Sequence, residues 1–135
     1  MRRVFVDTSA FVAARNAGEH EHEAARRAFA GLAAERATLF TSNYVVAETY
    51  TTLLMRVGRA EAIEWGRRAR AGSAIEVVRV EPAVEDEAWS ILESHADKRW
   101  SYVDATSFAL IAREETDEAL AFDAHFAQRG LRVVS

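Results

Sequence analysis

The sequence predicts an α/β fold in which a mainly parallel central sheet of about five short strands is flanked by helices. Three observations point there. Short runs of β-branched and aromatic residues alternate along the chain with longer stretches whose apolar residues recur at helical spacing. No two of the short runs are joined by a hairpin turn, so the strands must be connected through helices. Capping residues (Ser, Asn, Asp or Pro) stand where helical stretches begin.

Residues 4–6, Val-Phe-Val, are the first strand-like run, closed by Asp7, Thr8 and Ser9, which read as a strand end followed by a helix start. After a break at Gly18, the spacing of Ala24, Ala28, Phe29 and Leu32 predicts a helix within 20–36. Residues 38–41 form a second strand. Ser42 and Asn43 then cap a helix whose expected core stripe is Val46, Tyr50, Leu53, Leu54 and Val57. Gly58 interrupts the pattern, and 59–71 is a further helix carrying Ile63, Trp65 and the arginines 67, 68 and 70. The pair predicts a helical hairpin. Residues 75–80 are a third strand, and Pro82 opens an acidic helix. Asp104 opens another, with Phe108, Ile111 and Ala112 facing inward. Residues 119–122 are a fourth strand, Asp123 caps a brief helix, and 131–134 are the last strand.

At 135 residues the chain has the size of one domain, taken as 1–135. Its 50% hydrophobic and 28% charged content excludes a disordered chain. No apolar run approaches the roughly 20 residues that span a bilayer, and no secretory apolar stretch follows the two N-terminal arginines. A soluble, cytoplasmic protein without a membrane partner is expected. The absence of cysteine excludes disulfides, thiolate catalysis and zinc–thiolate sites, so any metal must sit on oxygen or imidazole. A net charge of −4 lacks the basic footprint usual for nucleic-acid partners. Of the 17 basic residues only Lys98 is lysine, which favours planar arginine forks for phosphate contact. Divalent cations set among several acids would cancel the formal excess locally.

Asp7, Asp104 and Asp123 share a context, since all three stand where a helix is predicted to begin. Any one of them alone reads as readily as an ordinary N-cap. Together they read differently: in an open parallel sheet the carboxyl ends of the strands face one crevice, and acids placed there converge although distant in sequence. Glu48 adds a fourth acid. It lies about 200° around its helix from Val46, off the aliphatic stripe, on a face shared with Tyr44, Thr51, Thr52 and Met55; alone it reads as a solvated glutamate there, open to pairing with a nearby arginine. Converging carboxylates suit Mg²⁺ or Mn²⁺, hard ions that prefer oxygen ligands and retain waters able to attack a phosphodiester.

Four segments in order, VFVDTSAFVA, TSNYVVAETYTTL, SYVDATSFALIARE and LAFDAHFAQRGLRVV, resemble the acidic motifs of the PIN-domain ribonuclease family, and VapC-type toxins within it, over almost the whole chain. The resemblance implies a PIN-like three-layer fold and hydrolysis of RNA with Mg²⁺, or Mn²⁺ in its place. It carries Asp7, Glu48, Asp104 and Asp123 over as metal-binding and catalytic acids, with Thr8 or Ser9 as a hydroxyl supporting the first. It also implies a homodimer and a cognate antitoxin, a segment of which lies against the hairpin 43–71 and reaches the acidic pocket; such a toxin would block translation.

Other residues carry weaker signals. His125, two residues after Asp123, is a candidate phosphate contact or a capping histidine. Arg99 and Trp100, next to Tyr102, combine charge with stacking surface suited to single-stranded RNA, although Trp100 equally suits a core. His20 and His22 do not face each other on a helix and are set aside. Three other functions compete: a PIN nuclease of RNA processing with no antitoxin, a non-catalytic RNA-binding module, and a receiver-like phosphoacceptor. The last wants paired acids after its first strand and a lysine near the end, whereas Asp7 stands alone and the only lysine is Lys98.

Overall fold

The computed structural model describes residues 2–72 and 74–135. Along the chain run β1 (Arg3–Val6), α1 (Thr8–Arg15), α2 (His22–Ala34), β2 (Thr38–Ser42), α3 (Asn43–Arg56), α4 (Arg59–Ala71), β3 (Glu76–Val78), α5 (Pro82–Ser94), α6 (Tyr102–Arg113), β4 (Glu118–Leu120), α7 (His125–Gln128) and β5 (Arg132–Val134). The strands form one sheet in the order β3-β2-β1-β4-β5, and every pairing is parallel. The predicted α/β class therefore holds, and the sheet is parallel throughout.

This order has a functional consequence. From β1 the chain steps outward to β2 and β3 on one side, then returns past β1 to build β4 and β5 on the other. Connections between parallel strands are right-handed, so reversing the direction of travel moves the helices to the opposite face. The helix contacts agree: α1 packs on α2 and α3, and α3 on α4, whereas α5 packs on α6 and α6 on α7. Between β1 and β4 the topology switches, and a crevice opens outside their carboxyl ends.

Burial on both faces explains the apolar first strand, where Val4, Phe5 and Val6 are wholly buried. Phe5 meets Phe40 edge-on at 5.5 Å between centroids and stacks towards Phe126 at 6.2 Å. Phe126 in turn meets Phe108 edge-on at 5.1 Å, joining α7, α6 and the sheet. Phe126→Ala is expected to remove about 3–5 kcal/mol, since a fully buried ring leaves a cavity its rigid neighbours cannot fill. Urea unfolding should show a lower midpoint at unchanged slope; a loss under about 1 kcal/mol would contradict that central position.

Four details differ from expectation, the simplest being that Ala124, and not Asp123, is the N-cap of α7. On α3 the fully buried row is Val45, Thr49 and Leu53, while Leu54 and Val57 are exposed and Val46 and Tyr50 pack half-buried beside the row. Thr49 is polar, so a count of apolar residues passes over the row that faces the core. Ala112 is exposed, one residue beyond the buried Ile111, because its small side chain suits either face. Asp104 does not open α6: Ser101 is the N-cap and Asp104 the third residue of a capping box, Ser101 Oγ accepting from the Asp104 amide. The hairpin of α3 and α4 forms as expected, with Gly58 at φ +146° between them, a conformation few side chains adopt.

Candidate active site

Asp7, Glu48, Asp104 and Asp123 line one cavity of about 380 Å³ together with Thr8 and Ser9. Their routes to it are different. Asp7 leaves the carboxyl end of β1, held there by its own amide, which donates to Leu120 O of β4 at 3.0 Å. Asp123 follows β4 at the other side of the switch point. Glu48 comes from α3, and Asp104 from the first turn of α6. Arg2 and Arg3, at the amino end of β1, pair with Glu35, Glu118 and Glu114 and stand away from this crevice.

Three of the four carboxylates, those of Asp7, Asp104 and Asp123, are held by hydrogen bonds from the chain. Asp7 Oδ2 accepts from the Ser9 amide at 3.1 Å and the Ser9 hydroxyl at 2.7 Å; Ser9 Oγ in turn accepts from the Phe122 amide at 2.9 Å. Ser9 thus ties the first aspartate to the segment that carries Asp123. Thr8 Oγ1 is buried without a hydrogen-bond partner among the described residues. Asp104 Oδ2 accepts from the Ser101 amide at 3.1 Å and lies 2.7 Å from His125 Nδ1, while the His125 amide donates to Asp123 Oδ1 at 3.0 Å. His125 therefore bridges two of the acids. Ligand atoms of Asp104, Asp123 and His125 lie within 4.8 Å of one another, a spacing that suits one ion, with Asp7 and Glu48 elsewhere on the same wall.

The electrostatics ask for a cation. Burial pushes the Asp7 carboxyl up to about 7, and the negative charges of Asp123 and Asp104 push in the same direction, against the stabilising bonds from Ser9. Glu19 and Glu21, from the connection between α1 and α2, bring the wall to six carboxylates among the described residues, opposed there by the single cation Arg56. A set of hard oxygen donors with one imidazole and strong mutual repulsion fits a divalent ion such as Mg²⁺ or Mn²⁺.

The RNA-contact candidates fare unevenly. Trp100 is buried, donates from Nε1 to Gln128 Oε1 at 3.2 Å and packs against His95 and Phe108 with centroids 5.0 Å away. Its faces are taken by the core, so it offers no stacking platform. Arg99 is exposed and outside the cavity wall. His125 is partly exposed and engages Asp104 through Nδ1. The wall also includes Thr52, already placed on the face of Glu48, and Arg56, which sequence reading passed over although it follows Glu48 at i+8 on the same helix face. Glu19 and Glu21 lie outside regular structure, where periodicity carries no signal.

The sequence model of the PIN domain matches residues 4–130 of this chain. The 23S rRNA-specific endonuclease VapC20 of Mycobacterium tuberculosis is 36% identical over 127 residues, 94% of each protein. The crystal structure of that VapC20, described as a Sarcin-Ricin loop cleaving toxin, superposes with a TM-score of 0.86 over 95% of both chains. VapBC2 of Rickettsia felis, in a crystal structure with a promoter DNA fragment, matches at a TM-score of 0.69 and 15% identity over 97% of this chain and 96% of the other, a likeness of fold.

Proposed function

Because this chain belongs to the PIN-domain family, we propose that it is a VapC-type endoribonuclease dependent on Mg²⁺, with Mn²⁺ as a substitute, and the toxin of a toxin–antitoxin pair acting in the cytoplasm. One observation carries this reading: acids from four separate stretches of chain converge at the sheet's switch point, where burial and mutual repulsion drive the Asp7 carboxyl up. Asp7, Asp104 and Asp123 hold the ion, with Glu48 on the ion or orienting water. When bound, the ion supplies Lewis-acid stabilisation of charge on the phosphodiester and makes a water more acidic.

The chain's own residues prepare the site. Ser9 presents the free oxygen of Asp7 to the cavity by occupying Oδ2 from two sides. Ser101 and His125 do the same for Asp104, leaving Oδ1 for the ion. These supports fix both carboxylates without relying on ligand, which lowers the cost of organising the site. The likeness to a 23S rRNA-specific endonuclease supports ribosomal RNA as the substrate class and arrest of translation as the outcome. Incubating purified protein with ribosomes and total RNA, in Mn²⁺ or in EDTA, and mapping new RNA ends tests this; no metal-dependent ends would sink it.

A cognate antitoxin and a homodimer complete the proposal. Beside the hairpin, Phe11, Phe29, Trp65, Ala69 and Ile75 line an apolar cavity edged by Arg15, Arg26 and Arg68, a surface suited to an acidic amphipathic segment. Glu48 also shares a shallow surface with Tyr44, Thr51 and Val103, although the Tyr44 hydroxyl is already committed to Glu85. Co-expression with the product of the adjacent upstream gene is expected to give a complex that neither binds Mn²⁺ nor cuts RNA. If no complex forms, the reading as a stand-alone processing nuclease gains.

A further inference from the structure

The cavity wall is built to repel what it must receive. Six carboxylates face it, and RNA brings one negative phosphate on each side of the bond to be cut. Ions held by the four inner acids would compensate the scissile phosphate but not its neighbours, for which Arg56 is the only cation on the wall among the described residues. Glu48, Thr52 and Arg56 form an i, i+4, i+8 row on α3, which sets Arg56 about 12 Å along the helix axis from Glu48. That displacement takes it past the inner acids to the mouth, where its side chain is 58% exposed.

Its present partner holds it loosely. Arg56 Nη1 donates to Glu19 Oε1 at 2.9 Å, a single bond from an otherwise solvated guanidinium. Solvated pairs of this kind contribute little, whereas the planar fork can give a phosphate two parallel charge-assisted bonds. We propose that Arg56 is a substrate-binding residue that exchanges Glu19 for an RNA phosphate flanking the scissile bond. Glu19 keeps the guanidinium at the cavity mouth in the free protein and releases it as the RNA enters. The inference rests on the ribonuclease reading and adds to it the residue that admits a polyanion to an acidic site.

The test uses full-length Arg56→Ala, Arg56→Lys and Glu19→Gln with a synthetic RNA stem-loop of the sarcin–ricin sequence in Mn²⁺. Arg56→Ala is expected to raise KM at least about tenfold with kcat within about threefold, since it removes ground-state and transition-state binding equally. The slope of log affinity against log salt should fall by about 0.7–0.9, the share of one phosphate. Arg56→Lys should restore the slope but only part of the KM, and Mn²⁺-induced thermal stabilisation should be unchanged in all three proteins. Glu19→Gln breaks the ion pair yet keeps the cation, so its KM should be equal to or below that of the parent protein. An Arg56→Ala protein with unaltered KM and salt slope overturns the inference while leaving the nuclease reading intact. So does a Glu19→Gln protein as impaired as Arg56→Ala, which would make the pair a structural clasp. A parent protein inert towards every RNA in Mn²⁺ overturns both.

Discussion

Asp7→Asn is expected to lower RNA cleavage at least about a thousandfold while the protein stays folded, because an ion's stabilisation of phosphoryl charge is worth several kcal/mol and each 1.36 kcal/mol is tenfold in rate. The amide keeps an oxygen to accept from the Ser9 amide and hydroxyl, so the cap of α1 survives. It loses the charge that attracts the cation. The same change should raise the melting temperature in EDTA by several degrees. In the folded protein the Asp7 carboxyl is raised from 3.8 to about 7, so the folded state binds the proton more tightly than the unfolded chain does. Stability from this group is complete below pH 3.8 and is lost as the pH rises through about 7. The gain from Asp7→Asn should therefore be largest at pH 8 and shrink towards pH 4. Cleavage near the parental rate would remove Asp7 from the reaction; a lower melting temperature in EDTA at pH 8 would contradict the clustering of acids.

Adding Mn²⁺ or Mg²⁺ to the metal-free protein should both switch on cleavage and stabilise the fold. Free ion at a hundred times its dissociation constant contributes about 2.7 kcal/mol if it binds only the native state, or roughly 10 °C for a chain of this size. The ion compensates the burial of the Asp7 charge and, to a lesser degree, its repulsion by Asp123 and Asp104. Asp104→Asn should lose most of the stabilisation. The capping box with Ser101 can persist through the amide oxygen, so a fall in metal-free stability is not expected. A melting temperature indifferent to Mn²⁺ in the parent protein, with RNA still cut in EDTA, would overturn the role assigned to the ion.

Much of the architecture was legible in the chain. Alternating strand and helix periods, with no hairpin turns, imply parallel strands, and Val4, Phe5 and Val6 announce a strand buried on both faces. Asp7 and Asp123 could be placed near one crevice because strand ends in a parallel sheet share an edge. The α3 register was less legible. Thr49 is fully buried, and a hydroxyl inside a core row is invisible to a pattern that counts apolar residues. Trp100 illustrates a different gap: an aromatic beside an arginine reads as an RNA platform or a core ring until its neighbours are known.

Local periodicity, capping preference and strand geometry suffice for the kinds of element, their parallel arrangement and the placing of Asp7, Asp104 and Asp123 near strand ends or helix starts, with Glu48 on a helix face off the aliphatic stripe. Which charges meet depends on tertiary packing. The distance between His125 and Asp104 depends on how α7 packs against α6, and the contact of Glu19 with Arg56 depends on how the α1–α2 connection folds back over α3. The raised Asp7 carboxyl belongs to the same level: it arises from desolvation and from like charges brought together across the sheet, quantities that exist only when distant segments exclude water between them.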